Sequence, residues 1–303
     1  IGGLSGAAGS TVALGGNGLT FGDAGNQTFG GAITGTGGIT KAGTGTETLT
    51  GVNTFTGGAT VNAGTLAIGA GGSLTAGTGL NLANAGTGFD ISGATTPQAI
   101  GGLTGVAGST VKLGGNGLSF GDSGNETFGG TIAGTGGITK EGSGTATLTG
   151  ANTFTGGATV NAGTLAIGAG GSLAAGTGVN LANAGTGLDI SNSSAGQTIG
   201  GLTGVTGSTV TLGNNSLSFG DSGNETFGGS IGGAGGIVKI GSGTATLTGA
   251  NSFTGGATVD AGTLAIGAGG SLAAGGTVNL ANTGTSFDLS GANTPQTVGG
   301  LAG

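Results

Sequence analysis

Eleven acids and four lysines are the only charged side chains in this chain of 303 residues, which has neither His nor Cys. Ser-His-Asp and Cys-His triads and the common zinc sites are therefore out of reach. General acid/base chemistry remains open to two carboxylates held together. Asp122 with Glu126 and Asp221 with Glu225 stand close enough in sequence, and the first counterpart is Asp23 with Gln27. No basic or aromatic cluster surrounds either pair, so they read as solvated turn charges. The run LGGNGLSFGD, 113–122, invites comparison with a calcium-binding nonapeptide, but its sixth position is Ser119 and the acid arrives only at Asp122. Asp122, like Asp23 and Asp221, reads instead as a turn residue bonding backbone amides. Gly-x-Gly strings open no helix, which argues against a phosphate loop. No catalytic, cofactor-binding or metal residue is assigned, no cofactor is expected, and the chain reads as not an enzyme.

Composition narrows the partners. The formal net charge is −7 and the four lysines are scattered, so no basic stripe exists for nucleic acid. No apolar run is long enough to span a bilayer, and no membrane insertion by this segment is expected. The absence of cysteine fits either redox compartment. Asn-Glu-Thr at 125–127 and 224–226 and Asn-Gln-Thr at 26–28 fit the glycosylation sequon, read here as coincidence. Most of the 11 Phe residues fall on core parity, and Thr rows such as TATLT and TFTGGAT suit exposed strand positions. There is no initiating Met or signal-like leader, and the segment reads as an excerpt from a longer array.

What must position these residues is a repeat. Ile1-Gly2-Gly3-Leu4 returns as Ile100-Gly101-Gly102-Leu103, Ile199-Gly200-Gly201-Leu202 and Val298-Gly299-Gly300-Leu301, with a constant step of 99. The units run 1–99, 100–198 and 199–297, with 298–303 starting another. Within a unit, pieces of three to six alternating residues rich in Thr, Val, Ile and Phe are separated by GG, GN, NG, DSGN and GTG. Short strands with glycine turns follow from that pattern. Gly pairs step by 28, 27 and 44 residues, and the block VNLANAGTGLDIS, 179–191, divides the last interval. The expected fold is all-β, a right-handed parallel β-helix (β-solenoid) with about four coils per repeat. Three units would give roughly twelve coils and about 60 Å.

Parity then sorts the side chains. Val111, Leu113, Leu118, Phe120, Phe128, Ile132, Ala146, Leu148, Phe154, Val160, Leu165, Ile167, Leu188 and Ile190 are expected inside. Lys112, Thr147, Thr159, Ala166, Asn180 and Asp189 are expected outside. Lys140 shares the parity of Ile138, so the strand is expected to end there and the lysine to turn outward. Glu47 shares the parity of Leu49, where a charge should not be buried.

The run GTGGITKEGSGTATLTGANTFTGGATVNAGTLAIG, 134–168, with counterparts at 35–69 and 233–267, resembles the autotransporter-associated β-strand repeat of bacterial surface and secreted passenger proteins. Lys-x-Gly, Leu-Thr-Gly, Asn-x-Phe-Thr-Gly and Gly-Thr-Leu fall in order over about a third of each unit. The resemblance implies a parallel β-helix exported to or beyond an outer membrane, and brings no catalytic residue. The expected function is a structural segment of a bacterial extracellular or cell-surface fibre, a rigid spacer or filament-forming module at the cell surface. The alternative is an adhesin with a Thr/Asn-rich outer face. Expected partners are further copies, end to end or side by side, and a cell-surface or glycan ligand.

Overall fold

The computed structural model describes residues 1–303 and divides into two compact units, Ile1–Gly156 and Gly157–Gly303. Each is built only of strands, none longer than five residues, and there is no helix, hence none long and apolar enough to cross a membrane. Strand pairing is parallel throughout, which makes each unit a β-solenoid.

In the first unit the strands at Leu19–Phe21, Ile39–Lys41, Ala59–Val61, Leu80–Leu82 and Leu103–Gly105 stack in one sheet. Leu19 pairs with Ile39, Ile39 with Ala59, Ala59 with Leu80 and Leu80 with Leu103, so a coil takes 20 to 23 residues there. A second face carries Gln27–Phe29, Thr46–Leu49, Thr65–Ile68, Gly88–Asp90, Thr110–Gly114 and Thr131–Gly134. The third face is broken in the middle. Thr11–Ala13 pairs with Ala32–Thr34, a lone bridge joins Val52 to Ser73, and pairing resumes at Gln98–Ala99, Leu118–Phe120 and Ile138–Lys140.

This register sharpens the coil count. Four coils carry the chain from Leu19 to Leu103 on one face, and two further sides, Thr110–Gly114 and Leu118–Phe120, complete the 99-residue step. One repeat is thus four coils and two sides of the next, so Leu118 occupies a different face from its counterpart Leu19. The second unit behaves the same way. Thr164–Ile167 lies in the sheet with Gly187–Asp189, Thr209–Thr211 and Ser230–Gly232. Its counterpart Thr263–Ile266 lies in the sheet with Thr244–Leu247 and Ser286–Asp288.

Alternation sets the core. All fourteen residues expected inside are buried, and the six expected outside are half-buried or exposed. Phe21, Phe29, Phe55, Phe89, Phe120, Phe128, Phe154, Phe219, Phe227 and Phe253 are each no more than 2% exposed. At about 1.5–3 kcal/mol for burying each large apolar side chain, these columns supply the main drive for coiling.

Candidate functional site

The inward columns contain ions as well as phenylalanines. Lys41 lies in register between Phe21 and Val61, and Lys239 between Phe219 and Val259. Lys140 pairs with Phe120, and all three lysines are 1% exposed. The expectation that Lys140 turns outward is corrected. The strand Ile138–Lys140 includes the lysine, so pleat alternation points it inward. Its stem lies among apolar neighbours and its head reaches the next corner. There Lys140 Nζ donates to the carbonyls of Glu141 and Gly142, at 2.5 and 2.8 Å. Lys239 Nζ donates to Ile240, Gly241 and Ala261, at 2.6, 2.7 and 3.2 Å, and Lys41 Nζ to Gly43 and Ala63. Burial pushes all three ammonium groups below the usual lysine range, and nearby carboxylates partly restore them.

A carboxylate accompanies each lysine. Glu126 Oε2 accepts from the Leu103 amide at 3.2 Å and Glu225 Oε2 from Leu202 at 3.1 Å. Both glutamates are half-buried, so the reading of Asp122–Glu126 and Asp221–Glu225 as wholly solvated turn charges is corrected. Glu126 occupies the inward column above Ala146, and Glu225 the one above Ala245. Burial first, and the neighbouring Asp122 carboxylate second, raise Glu126 above the usual carboxylate range. For Glu225 burial again leads, opposed by the Leu202 amide. Glycine beneath them leaves room for this placement, because a Cβ at Gly102 or Gly201 would displace the Glu126 or Glu225 carboxylate.

In the first repeat the acid sits one coil further on, as Glu47 in register with Gln27. Glu47 is 1% exposed, contrary to the expectation that a charge there stays out. It accepts from the Leu4 amide at 3.2 Å, and the nearby Lys41 partly opposes the rise in pKa that burial imposes. Its other oxygen is buried without a protein partner.

The aspartates do what turn chemistry asks. Asp122 Oδ1 and Asp221 Oδ1 accept from Gly124 and Gly223 at 2.5 Å, and Asp23 bonds the amides of Gly25 and Gly3. Those two amides hold Asp23 below the usual carboxylate range. No group of three His, Cys, Asp or Glu residues converges as metal ligands would. The sequon residues Asn26, Asn125 and Asn224 each accept from an amide one coil on, at Thr46, Thr145 and Thr244.

Three buried asparagines escaped the sequence reading. Asn53 Oδ1 accepts from the Ile33 amide at 3.0 Å, while its Nδ2 donates to Gly51 at 2.8 Å and Ser73 at 3.0 Å, so one side chain stitches three coils. Asn251 does the same to Ile231, Gly249 and Ser271, and Asn152 accepts from Ile132 and donates to Gly150. These asparagines lie at or beside the lone bridges, where backbone groups lack ladder partners. The signal was present: Asn152 shares the parity of Phe154 in Asn-x-Phe.

The corner clusters thus satisfy backbone groups. Residues 39–68, 138–167 and 237–266 match the family model of the passenger-associated-transport-repeat. Each matched stretch begins on the strand bearing the buried lysine, encloses the asparagine stitch and ends at the Ile of Thr-Leu-Ala-Ile. The resemblance to the autotransporter-associated repeat is thereby shown, and repeat and solenoid together fit a structural segment of an autotransporter passenger. No curated protein and no solved structure matches the chain.

Proposed function

We propose, from the three matched repeats, that this chain is a rigid spacer segment of a bacterial surface or secreted passenger, whose work is mechanical and non-catalytic, outside the cell. The observation that carries this reading is the stitching of each corner. Ladders join successive coils, and where the ladder is broken, Asn53 and Asn251 bond the coils before and after their own. Pulling along the axis must then break several bonds per coil together. The right hand is adopted for the coil because crossovers between parallel strands take it almost without exception.

An isolated solenoid segment presents unpaired strand edges, which template pairing with another copy. Polypeptide 1–303 is therefore expected to associate lengthwise. Sedimentation at increasing concentration checks this, and strictly monomeric behaviour counts against it. Single-molecule extension tests the mechanical role itself. Stepwise unravelling with a distinct force for each group of coils supports the reading, and compliant extension without force peaks sinks it.

A further inference from the structure

The first two repeats differ where one side of the solenoid carries no strand. Between Thr164–Ile167 and Val179–Leu181 the chain runs through 168–178 as a strap. The next coil passes above it between Gly187–Asp189 and Gln197–Thr198, again without a strand. The same sides in the first repeat are 69–79 and 91–97. Backbone ladders close the flanking faces of these coils, whereas side chains cross the seam between the two strandless sides. Gly71 donates to Thr95 Oγ1 at 3.4 Å and Gln98 Nε2 to the Gly72 carbonyl at 3.3 Å. One repeat later Gly170 donates to Ser194 Oγ at 3.1 Å and Gln197 Nε2 to the Gly171 carbonyl at 3.3 Å.

Two ties of the first repeat are missing from the second. Thr75 Oγ1 donates to the Asn53 carbonyl at 3.1 Å, and its counterpart Ala174 has no hydroxyl to do so. Pro97 stiffens the upper side where the second repeat has Gly196, and the neighbour on the next coil changes with it, from Gly117 to Ser216. A Cβ at Gly117 would lie 3.7 Å from Pro97, an ordinary contact, but a Cβ at Gly196 would overlap the Ser216 hydroxyl at 2.5 Å. Along the seam of the second repeat lies an open gap of about 350 Å³, lined by Gly170, Ser172, Ala175, Ser194, Gly196 and Gln197. Leu173, a buried core residue, borders the same gap.

We propose that the second repeat opens locally at this seam: the strap 168–178 lifts from the side above it and uncovers Leu173, while the ladders of the flanking faces stay closed. Local opening starts where few backbone bonds must break, and here side-chain bonds hold the strap to the coil above. Glycine at 196 gives the opened state more conformations than proline gives at 97, and the absent threonine bond lowers the cost of lifting. The gap means that lifting gives up little packing. This goes beyond the mechanical reading, since opening is measured without load and its failure leaves that reading standing.

Hydrogen exchange on the intact chain compares amides in matched surroundings, because the straps 69–79 and 168–178 differ only at Thr75 and Ala174. Gly170 should exchange about fivefold or more faster than Gly71, and the strand amides of Ala166 and Ala67 should differ by less than that. The triple variant A174T/G196P/S216G, which copies the first repeat, should slow Gly170 to the rate of Gly71. The reverse variant T75A/P97G/G117S should quicken Gly71 by a similar factor. Equal exchange at Gly170 and Gly71 in the unaltered chain, or rates unmoved by either variant, overturns the proposal.

Discussion

Glu47 accepts a hydrogen bond from the amide of Leu4 at 3.2 Å, the bond that Glu126 makes to Leu103 and Glu225 to Leu202. The later repeats have Glu above Ala, at Glu126–Ala146 and Glu225–Ala245, where the first has Gln27 above Glu47. The acid has moved by one coil while its bond to the Ile-Gly-Gly-Leu amide and its place beside the buried lysine are kept. Glu47→Ala alone is expected to cost about 1–3 kcal/mol, since it strands the Leu4 amide and removes a counter-charge from Lys41. Adding Gln27→Glu should recover at least half of that loss. Urea unfolding of the single and double variants decides, and a double variant no better than Glu47→Ala would refute the exchange.

Asn152 is expected to be worth more than its size. Asn152→Ala leaves the buried Ile132 amide and the half-buried Gly150 carbonyl without their bonds, at about 2–3 kcal/mol together. Hydrogen exchange should quicken at Ile132 before it quickens at Leu118 on another face. Equal protection of both amides in the variant would remove the stitch from the account.

Faces can be tested by distance. Thr20, Thr40, Thr60, Asn81 and Thr104 form one outward column, so spin labels at Thr20 and Thr104 should lie about 20 Å apart, four coil spacings. A label at Ser119, one repeat after Thr20, sits on a different face beside Ala99. Bulky labels at Ala99 and Ser119 should couple at about 5 Å. Coupling of Ser119 to Thr104 at that range would contradict the two-sided offset.

Stability should depend on pH in opposite senses at its two ends. Glu126 and Glu225 titrate above 4.5 in the folded state. The folded chain therefore holds protons that the unfolded chain has released, and this stabilising contribution, present in acid, is lost as pH rises from 4.5 through the raised values. Lys140 and Lys239 titrate below 10.5. Their cost is full below the folded values and disappears as pH rises toward 10.5. Asp23 acts the other way from the glutamates, its contribution being lost as pH falls below 3.8. Glu126→Gln with Glu225→Gln should flatten the loss of stability above 4.5 in melts across the range. An unchanged slope would show that these carboxyls do not carry it.

Much of the architecture was legible because a strand's period of two is local. Phe128, Leu148 and Val160 go inward for reasons contained in a few neighbouring residues, and the step of 99 marks the array. Lys140 was not legible as a core residue, although its parity with Ile138 is plain. An ammonium can enter the column only if the next corner offers carbonyls, here Glu141 and Gly142, and a sequence pattern does not show where those oxygens point. Asn152 hid for the same reason, since its partner Ile132 belongs to the coil before.

By itself the sequence determined that this chain is a repeating parallel solenoid, which face of each strand is buried, and that its chemistry is poor in reactive groups. Only the tertiary structure decided that a repeat spans four coils and two sides, that each buried lysine is held by corner carbonyls, and that Asn53, Asn152 and Asn251 bond the coil before their own. Alternation along a strand is fixed by backbone geometry within it. Register between coils depends on corners 19 to 23 residues apart closing onto one another, a condition met only when the coils stack.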